Sequence, residues 1–370
     1  MQRHVAAVED ACERATDPLD LFGVLSDRLR RVVPFDGAAW FGTDPSTILP
    51  TAPVRIENVE EGHCETYWER EATVEDALLY RDLARSASPA ASLFQATDDR
   101  PARSARYREF LAPQNYGDEA RAAFKTGSST WGVVDLYREQ GRTPFSTAEL
   151  SFLAAVGPAI ATALRAFATA TMTVPPVSTA SLDAPGTALF DGSARRLLSL
   201  DVQAERWFAE LAGDDWQTIP LPMTAVYAVV ARAVAVAEGR ERSPAVVRLR
   251  AGSGRWLSVH ASALRNPLGG PAPVAVTIEP AKSSQIAPII VEAYCLTARE
   301  QQITQAVARG LSNQEIAAEL FLSAHTVRDH LKAVFAKVGV GSRGELVAKL
   351  FADHYGPALH TPTGAQHVEV

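Results

Sequence analysis

Near the C-terminal end of the chain, His325, Arg328, Asp329 and Lys332 recur at i, i+3, i+4 and i+7. On a helix that spacing makes one polar row about two turns long. Guanidinium and ammonium groups so arranged can donate hydrogen bonds to base edges in a DNA major groove roughly 12 Å wide. The chemistry on offer is recognition, with no bond made or broken.

The rod that must carry this row is written into its neighbours. Val327, Leu331, Val334, Phe335 and Val338 follow i, i+4, i+7, i+8 and i+11, an apolar stripe on the opposite side. From Leu296 to about Phe351 the sequence predicts four short helices. Thr297-Ala298-Arg299-Glu300, Ser312-Asn313-Gln314-Glu315 and Ser342-Arg343-Gly344-Glu345 each place a Glu three residues after a hydroxyl, the capping-box pattern of a helix start. Gly310 and Gly339 fall where the first and third helices should stop, since glycine tolerates the left-handed conformation. The third start, Ser323-Ala324-His325-Thr326, has Thr in place of the acid, so its free N–H groups and positive dipole end can face a phosphate. The second helix, Gln314 to Leu320, buries Ile316, Ala317 and Leu320, and only Phe321 and Leu322 join it to the third. Two amphipathic helices on so short a connection make a helix-turn-helix pattern.

The residues Leu296-Thr297-x-Arg299-Glu300, Gly310-Leu311-Ser312-Asn313-x-Glu315-Ile316-Ala317, Leu320, Ser323, Thr326-Val327-Arg328-x-His330 and Lys337-x-Gly339-Val340 resemble the LuxR/NarL-type helix-turn-helix signature. The resemblance implies a four-helix domain that binds double-stranded DNA as a homodimer. By position it makes Arg328, Asp329 and Lys332 base-facing and sets Ser312, Ser323, Thr326 and Lys337 near the phosphate backbone. Asp329 would accept from a cytosine amino group or orient Arg328. A fourth helix, from Arg343 to about Phe351 with Leu346 and Leu350, would serve the dimer contact, and RNA polymerase is a candidate partner.

A length of 370 residues, 47% hydrophobic and 21% charged, predicts two or three globular domains. The net charge of −7 runs against nucleic-acid binding until it is divided. Residues 296–351 carry seven cations and five anions, or +2, which leaves −9 elsewhere. So weak a local positive charge implies that affinity depends on dimerisation and a shaped site. Cys12, Cys64 and Cys295 are far apart, with neither disulfide-framework nor zinc-site spacing, which points to a reducing, cytoplasmic setting and to no metal. No apolar signal core follows Met1, and no run of about 18 apolar residues is expected to cross a bilayer. Ala225 to Ala237 comes nearest, and Arg232 makes it a buried helix.

Two linkers, 169–185 and 280–295, are marked by Pro, Ser and Thr, and residues 355–370 form a loose tail beyond the 296–354 domain. The expected fold is multidomain: two α+β modules, 1–168 and 186–279, then an all-α four-helix domain. In the first module Leu19, Phe22, Leu25, Leu29 and Val32/Val33 lie on one helical face ended by Pro34. A strand starts at Phe35 to Phe41, another runs from Thr130 to Arg138, and Phe145, Leu150, Leu153, Val156, Ile160 and Leu164 mark a closing helix. Val33-Pro34-Phe35-Asp36-Gly37, Trp131-Gly132-x-x-x-Leu136-Tyr137-Arg138 and Phe145-Ser146-x-x-Glu149 resemble a GAF-type domain. The second module has a strand at 187–190, helices through Trp207, Phe208 and Leu211 and over 226–237, then strands at 245–250, 255–265 and 273–278, and is similar to a PAS-type domain. Along 256–262, Trp256, Ser258, His260 and Ser262 alternate with Leu257, Val259 and Ala261, with His260 expected in a core or pocket.

Trp40, Phe41, Trp131 and Tyr137 are the candidate lining of a small-molecule effector pocket. Two readings of the upstream half compete: a sensor for such an effector, or a protein-docking platform with no small ligand. An enzyme is disfavoured. His63 and Cys64 are adjacent in sequence and so point in different directions, and neither GxxxxGK[ST] nor GxGxxG occurs, which leaves no nucleotide cofactor to expect.

Overall fold

The computed structural model describes residues 1–60, 64–73, 76–169, 184–192, 196–213, 216, 223–265, 272–282, 285–286, 289, 292–294 and 296–347. They divide into two compact units, the first of residues 1–168 and 184–280 and the second of 169–183 and 281–370. His63, most of the expected 169–185 linker, seven residues of the expected 280–295 linker including Cys295, and the 355–370 tail lie outside the described residues.

The first unit opens with α1 (Gln2–Arg14) and α2 (Pro18–Arg30). The carboxylate of Asp17 accepts the N–H groups of Leu19 and Asp20, and Pro18 presets the first turn of α2. Leu21, Phe22, Leu25 and Leu29 are buried, whereas Leu19 is 47% exposed: at N2 it lies around the helix from the stripe, and Leu21 takes its place. Five strands follow, interspersed with α3 (Cys64–Thr73), α4 (Tyr80–Arg85) and α5 (Leu93–Ala96): β1 (Gly37–Thr43), β2 (Pro50–Glu57), β3 (Ala90–Ser92), β4 (Tyr116–Thr126) and β5 (Ser129–Glu139). They form one antiparallel sheet in the order β2-β1-β5-β4-β3.

Strand alternation gives this sheet two different faces. Trp40 stacks between Phe22 and Phe124 on the side covered by α2, while its neighbour Phe41 meets Tyr67 and Trp68 of α3 on the other. The first face is closed by α6 (Thr147–Thr169), whose Phe152, Leu153, Val156 and Ile160 are buried. Gly132 on β5 is required there, since an added Cβ would sit 2.5 Å from Leu164. Among the described residues α6 is long and apolar enough to cross a bilayer by length and composition, contrary to the sequence expectation. Its burial against the sheet accounts for that composition in a core helix.

A second antiparallel sheet, also in the first unit, comprises β6 (Gly186–Phe190), β7 (Leu197–Leu200), β8 (Val246–Arg250), β9 (Trp256–Ala263) and β10 (Val274–Pro280) in the order β7-β6-β10-β9-β8. The edge strand β7 was not legible in Leu197-Leu198-Ser199-Leu200, where no alternation shows; Leu198 is 50% exposed. On β9 the inner row is Leu257, Val259 and Ala261, and His260 is exposed, which corrects its expected place in a core or pocket.

α7 (Val202–Ala212) is capped by Asp201 and buries Trp207 and Phe208. α8 (Thr224–Ala237) has ten of its fourteen residues buried because it is covered on both sides, by β9 and β10 of its own sheet and by α3 and β2 of the first. Apolar residues all round a helix signal such double burial. Beside it, Asp44 is fully buried and accepts three bonds from Arg248: its backbone N–H at 2.9 Å, Nε at 2.8 Å and Nη2 at 2.8 Å. One carboxylate thus joins the two sheets' modules. Replacing Arg248 by Ala leaves that charge buried and short of two donors, so urea unfolding should report a loss of about 3 kcal/mol; unchanged stability would mean the pair is not a structural joint.

Candidate nucleic-acid interface and sensor cleft

In the second unit the helices are α9 (Ala298–Ala308), α10 (Asn313–Leu320) and α11 (Ala324–Val338), with a further helical stretch over 343–347. Two capping boxes are complete: Thr297 Oγ1 accepts from the Glu300 N–H and Glu300 Oε2 accepts from the Thr297 N–H, and Ser312 and Glu315 do the same. At the third, Ser342 accepts from the Glu345 N–H, but the Glu345 carboxylate takes the N–H of Gly341 instead of that of Ser342. The acid-free start of α11 forms as expected, with Ser323 Oγ accepting from the Thr326 N–H at 3.0 Å. Gly310 and Gly339 adopt positive φ of 87° and 71°, and both stop a helix. Phe321, which ends α10, is also left-handed at φ 55° and is 95% exposed, a position where a non-glycine residue is strained.

α11 packs against both α9 and α10. Val327, Leu331, Val334 and Val338 are buried and Phe335 is half-buried. The helical period then places Arg328, Asp329 and Lys332 on the open side, and all three are exposed. The Asp329 carboxylate lies 3.0 Å from His325 Nδ1 and 3.8 Å from Lys332 Nζ, so it is engaged along its own helix by those two groups and not by Arg328. Ser312 and Ser323 are exposed and Thr326 is half-buried at the helix starts. Arg343 is half-buried and donates to Asn313 Oδ1 at 3.3 Å. Leu346 is fully buried, so its side chain is not free to meet a second copy, and Leu350 lies outside the described residues.

Lys337 differs from a free phosphate-seeking cation. Its Nζ donates to Glu300 Oε2 at 2.6 Å, tying the last turn of α11 to the capping box that begins α9. Burial pushes the Glu300 carboxyl up, but the Lys337 ammonium and the donors of Thr297 outweigh it and hold it below its ordinary value. Sequence reasoning missed this pair because 37 residues separate its members.

In the first unit only part of the expected pocket lining comes together. Phe41 and Tyr137 line a cleft of about 40 Å³ with Tyr67, Trp68, Phe110 and Thr224. Trp40 faces the opposite side of the sheet, and Trp131 is buried but lies about 20 Å along β5 from Tyr137. Beneath the cleft is a buried polar network that was not expected. Asp135 accepts from the hydroxyls of Tyr67, Tyr80 (2.7 Å) and Tyr137 (3.1 Å) and from Arg121 Nη2 (3.3 Å). Arg121 also pairs with Glu71 and Glu119, and Glu119 with Arg106; Arg106, Glu119, Arg121 and Asp135 are all fully buried. Burial raises the Asp135 carboxyl above its ordinary range despite Arg121, while Glu119, between two guanidinium groups, is held below its own against the same burial. The available signal was the i, i+2 spacing of Glu119 and Arg121 and of Asp135 and Tyr137, which puts each pair on one strand face.

Residues 294–350 match the family model of bacterial regulatory proteins, luxR family. A Mycobacterium bovis protein named as a transcriptional regulator of helix-turn-helix type is 48% identical over 52 residues, 14% of this chain and 6% of that protein. The monoamine regulon transcriptional regulator of Klebsiella aerogenes is 42% identical over 65 residues, 18% of this chain and 29% of the relative. The chain thus spans under a third of the length of these curated relatives. Among solved structures, a phage VqmA–DPO complex is 22% identical with a TM-score of 0.25, covering 50% of this chain and 88% of that one. A bacteriophytochrome of R. palustris is 10% identical with a TM-score of 0.31, covering 75% and 62%. Similarities this low bear on neither ligand nor assembly. The C-terminal domain is therefore a LuxR-family helix-turn-helix domain, preceded by α+β modules.

The Lys337–Glu300 pair predicts a pH signature. A carboxyl held below its unfolded value adds stability above that value, and the contribution is lost as pH falls through the folded one. Lys337→Met should therefore lower the melting temperature modestly at pH 7, in keeping with about 1 kcal/mol or less for a partly exposed pair. The gap from wild type should close as pH falls through the folded value of the Glu300 carboxyl. A gap that does not depend on pH would place the stabilisation elsewhere.

Proposed function

We propose that the chain is a sequence-specific transcriptional regulator that binds duplex DNA through α11 and whose upstream modules, GAF-like and PAS-like, sense a small molecule. The observation that carries the reading is the exposed Arg328, Asp329 and Lys332 row on a helix whose other side is buried, inside the segment that matches the LuxR family. Arg328 donates to a guanine edge, the usual bidentate partner of a guanidinium. Lys332, already near Asp329, reads an adjacent acceptor, and Asp329 accepts from a cytosine amino group. Ser312, Ser323 and Thr326 sit at helix starts, where hydroxyls and free N–H groups suit phosphate oxygens. Lys337 adds its charge to that set while bound to Glu300.

The +2 charge of residues 296–351 gives one copy little hold on DNA, so the chain acts as a homodimer on two half-sites. The helix beginning at 343 serves that contact through residues other than Leu346. The work is cytoplasmic, with RNA polymerase as the downstream partner. For an effector to act it must bind one arrangement of the chain better than another, and that difference alone shifts DNA affinity.

In a fluorescence-anisotropy titration against a duplex selected by the wild-type chain, Arg328→Ala should lose about 1–3 kcal/mol and accept more bases at one position. Wild-type affinity and preference in the variant would remove Arg328 from the reading set.

A further inference from the structure

His325 begins the exposed row on α11, one turn ahead of Asp329. Its side chain is 79% exposed, and Nδ1 lies 3.0 Å from Asp329 Oδ2. A neutral imidazole carries a single N–H, on one nitrogen or the other, whereas a carboxylate can only accept. Asp329 therefore selects the form with the proton on Nδ1. Nε2, on the opposite edge of the ring, is turned away from the carboxylate. In the neutral form that nitrogen accepts; once the ring takes a proton from solvent, it carries an N–H and donates. One atom of the row thus has two opposite hydrogen-bonding characters, and an imidazole ordinarily exchanges them between about pH 5 and 8.

The rest of the domain leaves this exchange to the two side chains. On α11 the neighbouring charges are Arg328, exposed in the same row, and Lys332, whose Nζ is 3.8 Å from the other oxygen of Asp329; His330 is half-buried and turned off the row. The helices packed against α11 are α9 and α10, and their charged groups bond elsewhere: Arg299 to Gln302, Glu300 to Lys337, Glu315 to the Ser312 cap and Glu319 to Arg309. We infer that His325 is a further specificity-determining residue, reading one base pair through Nε2 with Asp329 as its positioning residue, and that the base it prefers changes with pH. Protonated, Nε2 donates to N7 or O6 of guanine; neutral, it accepts from the amino group of cytosine or adenine. The inference rests on the proposed reading of α11 and adds to it a reader whose preference switches with its own charge.

The test takes a duplex selected by the full wild-type chain and titrates each of its single base-pair variants by fluorescence anisotropy at about pH 6 and about pH 8. At one position the affinity for guanine over cytosine or adenine should rise roughly three- to tenfold on acidification, the worth of one exchanged hydrogen bond. His325→Ala should abolish that change while the base pair read by Arg328 keeps its preference at both pH values. Asp329→Asn, whose amide donates as well as accepts, no longer fixes the ring; it should shrink the preference at the higher pH and leave the guanine preference at the lower. A preference that is the same at both pH values, or that shifts equally in His325→Ala, overturns the inference and leaves the DNA reading standing. Wild-type behaviour of Asp329→Asn at the His325 position overturns its positioning role. If no duplex can be selected, the reading of α11 fails and takes the inference with it.

Discussion

Burial of Val327, Leu331, Val334 and Val338 against two neighbouring helices is the constraint on which the exposed row of Arg328, Asp329 and Lys332 depends. Residues three and four positions apart share a helix face, so once this stripe is buried the residues one and two positions on from it turn outward. Arg328 and Lys332 are presented because of what lies behind them. The caps fix where the rod begins, and the Lys337–Glu300 pair fixes its far end to the first helix of the domain. The same pair limits how much of that lysine's charge remains for a phosphate. On the proposed reading, fold and recognition draw on the same side chain.

A different economy holds in the upstream unit. Its first sheet encloses four fully buried charged residues, Arg106, Glu119, Arg121 and Asp135, which neutralise one another and hold three tyrosine rings by their hydroxyls. Such networks add less stability than their Coulomb attraction suggests, because each ion has been stripped of water. Their effect is to fix orientation. With Tyr67 and Tyr137 anchored from below, the aromatic walls of the cleft are held in fixed orientation. The Asp44–Arg248 bond and the doubly buried α8 then hold the second module against the first.

Much of the helical domain was legible because its signals are local: a hydroxyl, a glutamate three residues on, and a glycine stop can each be read within one turn. What failed there was non-local or permissive, as with the Lys337–Glu300 pair, the shifted partner of Glu345, and a left-handed Phe321 where glycine would be expected. The sheets were harder. Trp40 and Phe41 are neighbours on a strand and could never have lined one pocket, a consequence of alternation that the aromatic composition obscured. Nothing in the sequence marked Glu119, Arg121 and Asp135 as buried, because charged side chains are seldom buried unless paired and the partners Arg106 and Glu71 lie on other elements.

The most direct test of the central claim is selection of duplexes from a randomised library by the purified full-length chain, followed by sequencing. The account predicts enrichment of two inverted half-sites whose centres lie about one helical turn apart or a multiple of it, as a symmetric pair of reading helices requires. A sequence pool that stays random through successive rounds would contradict it.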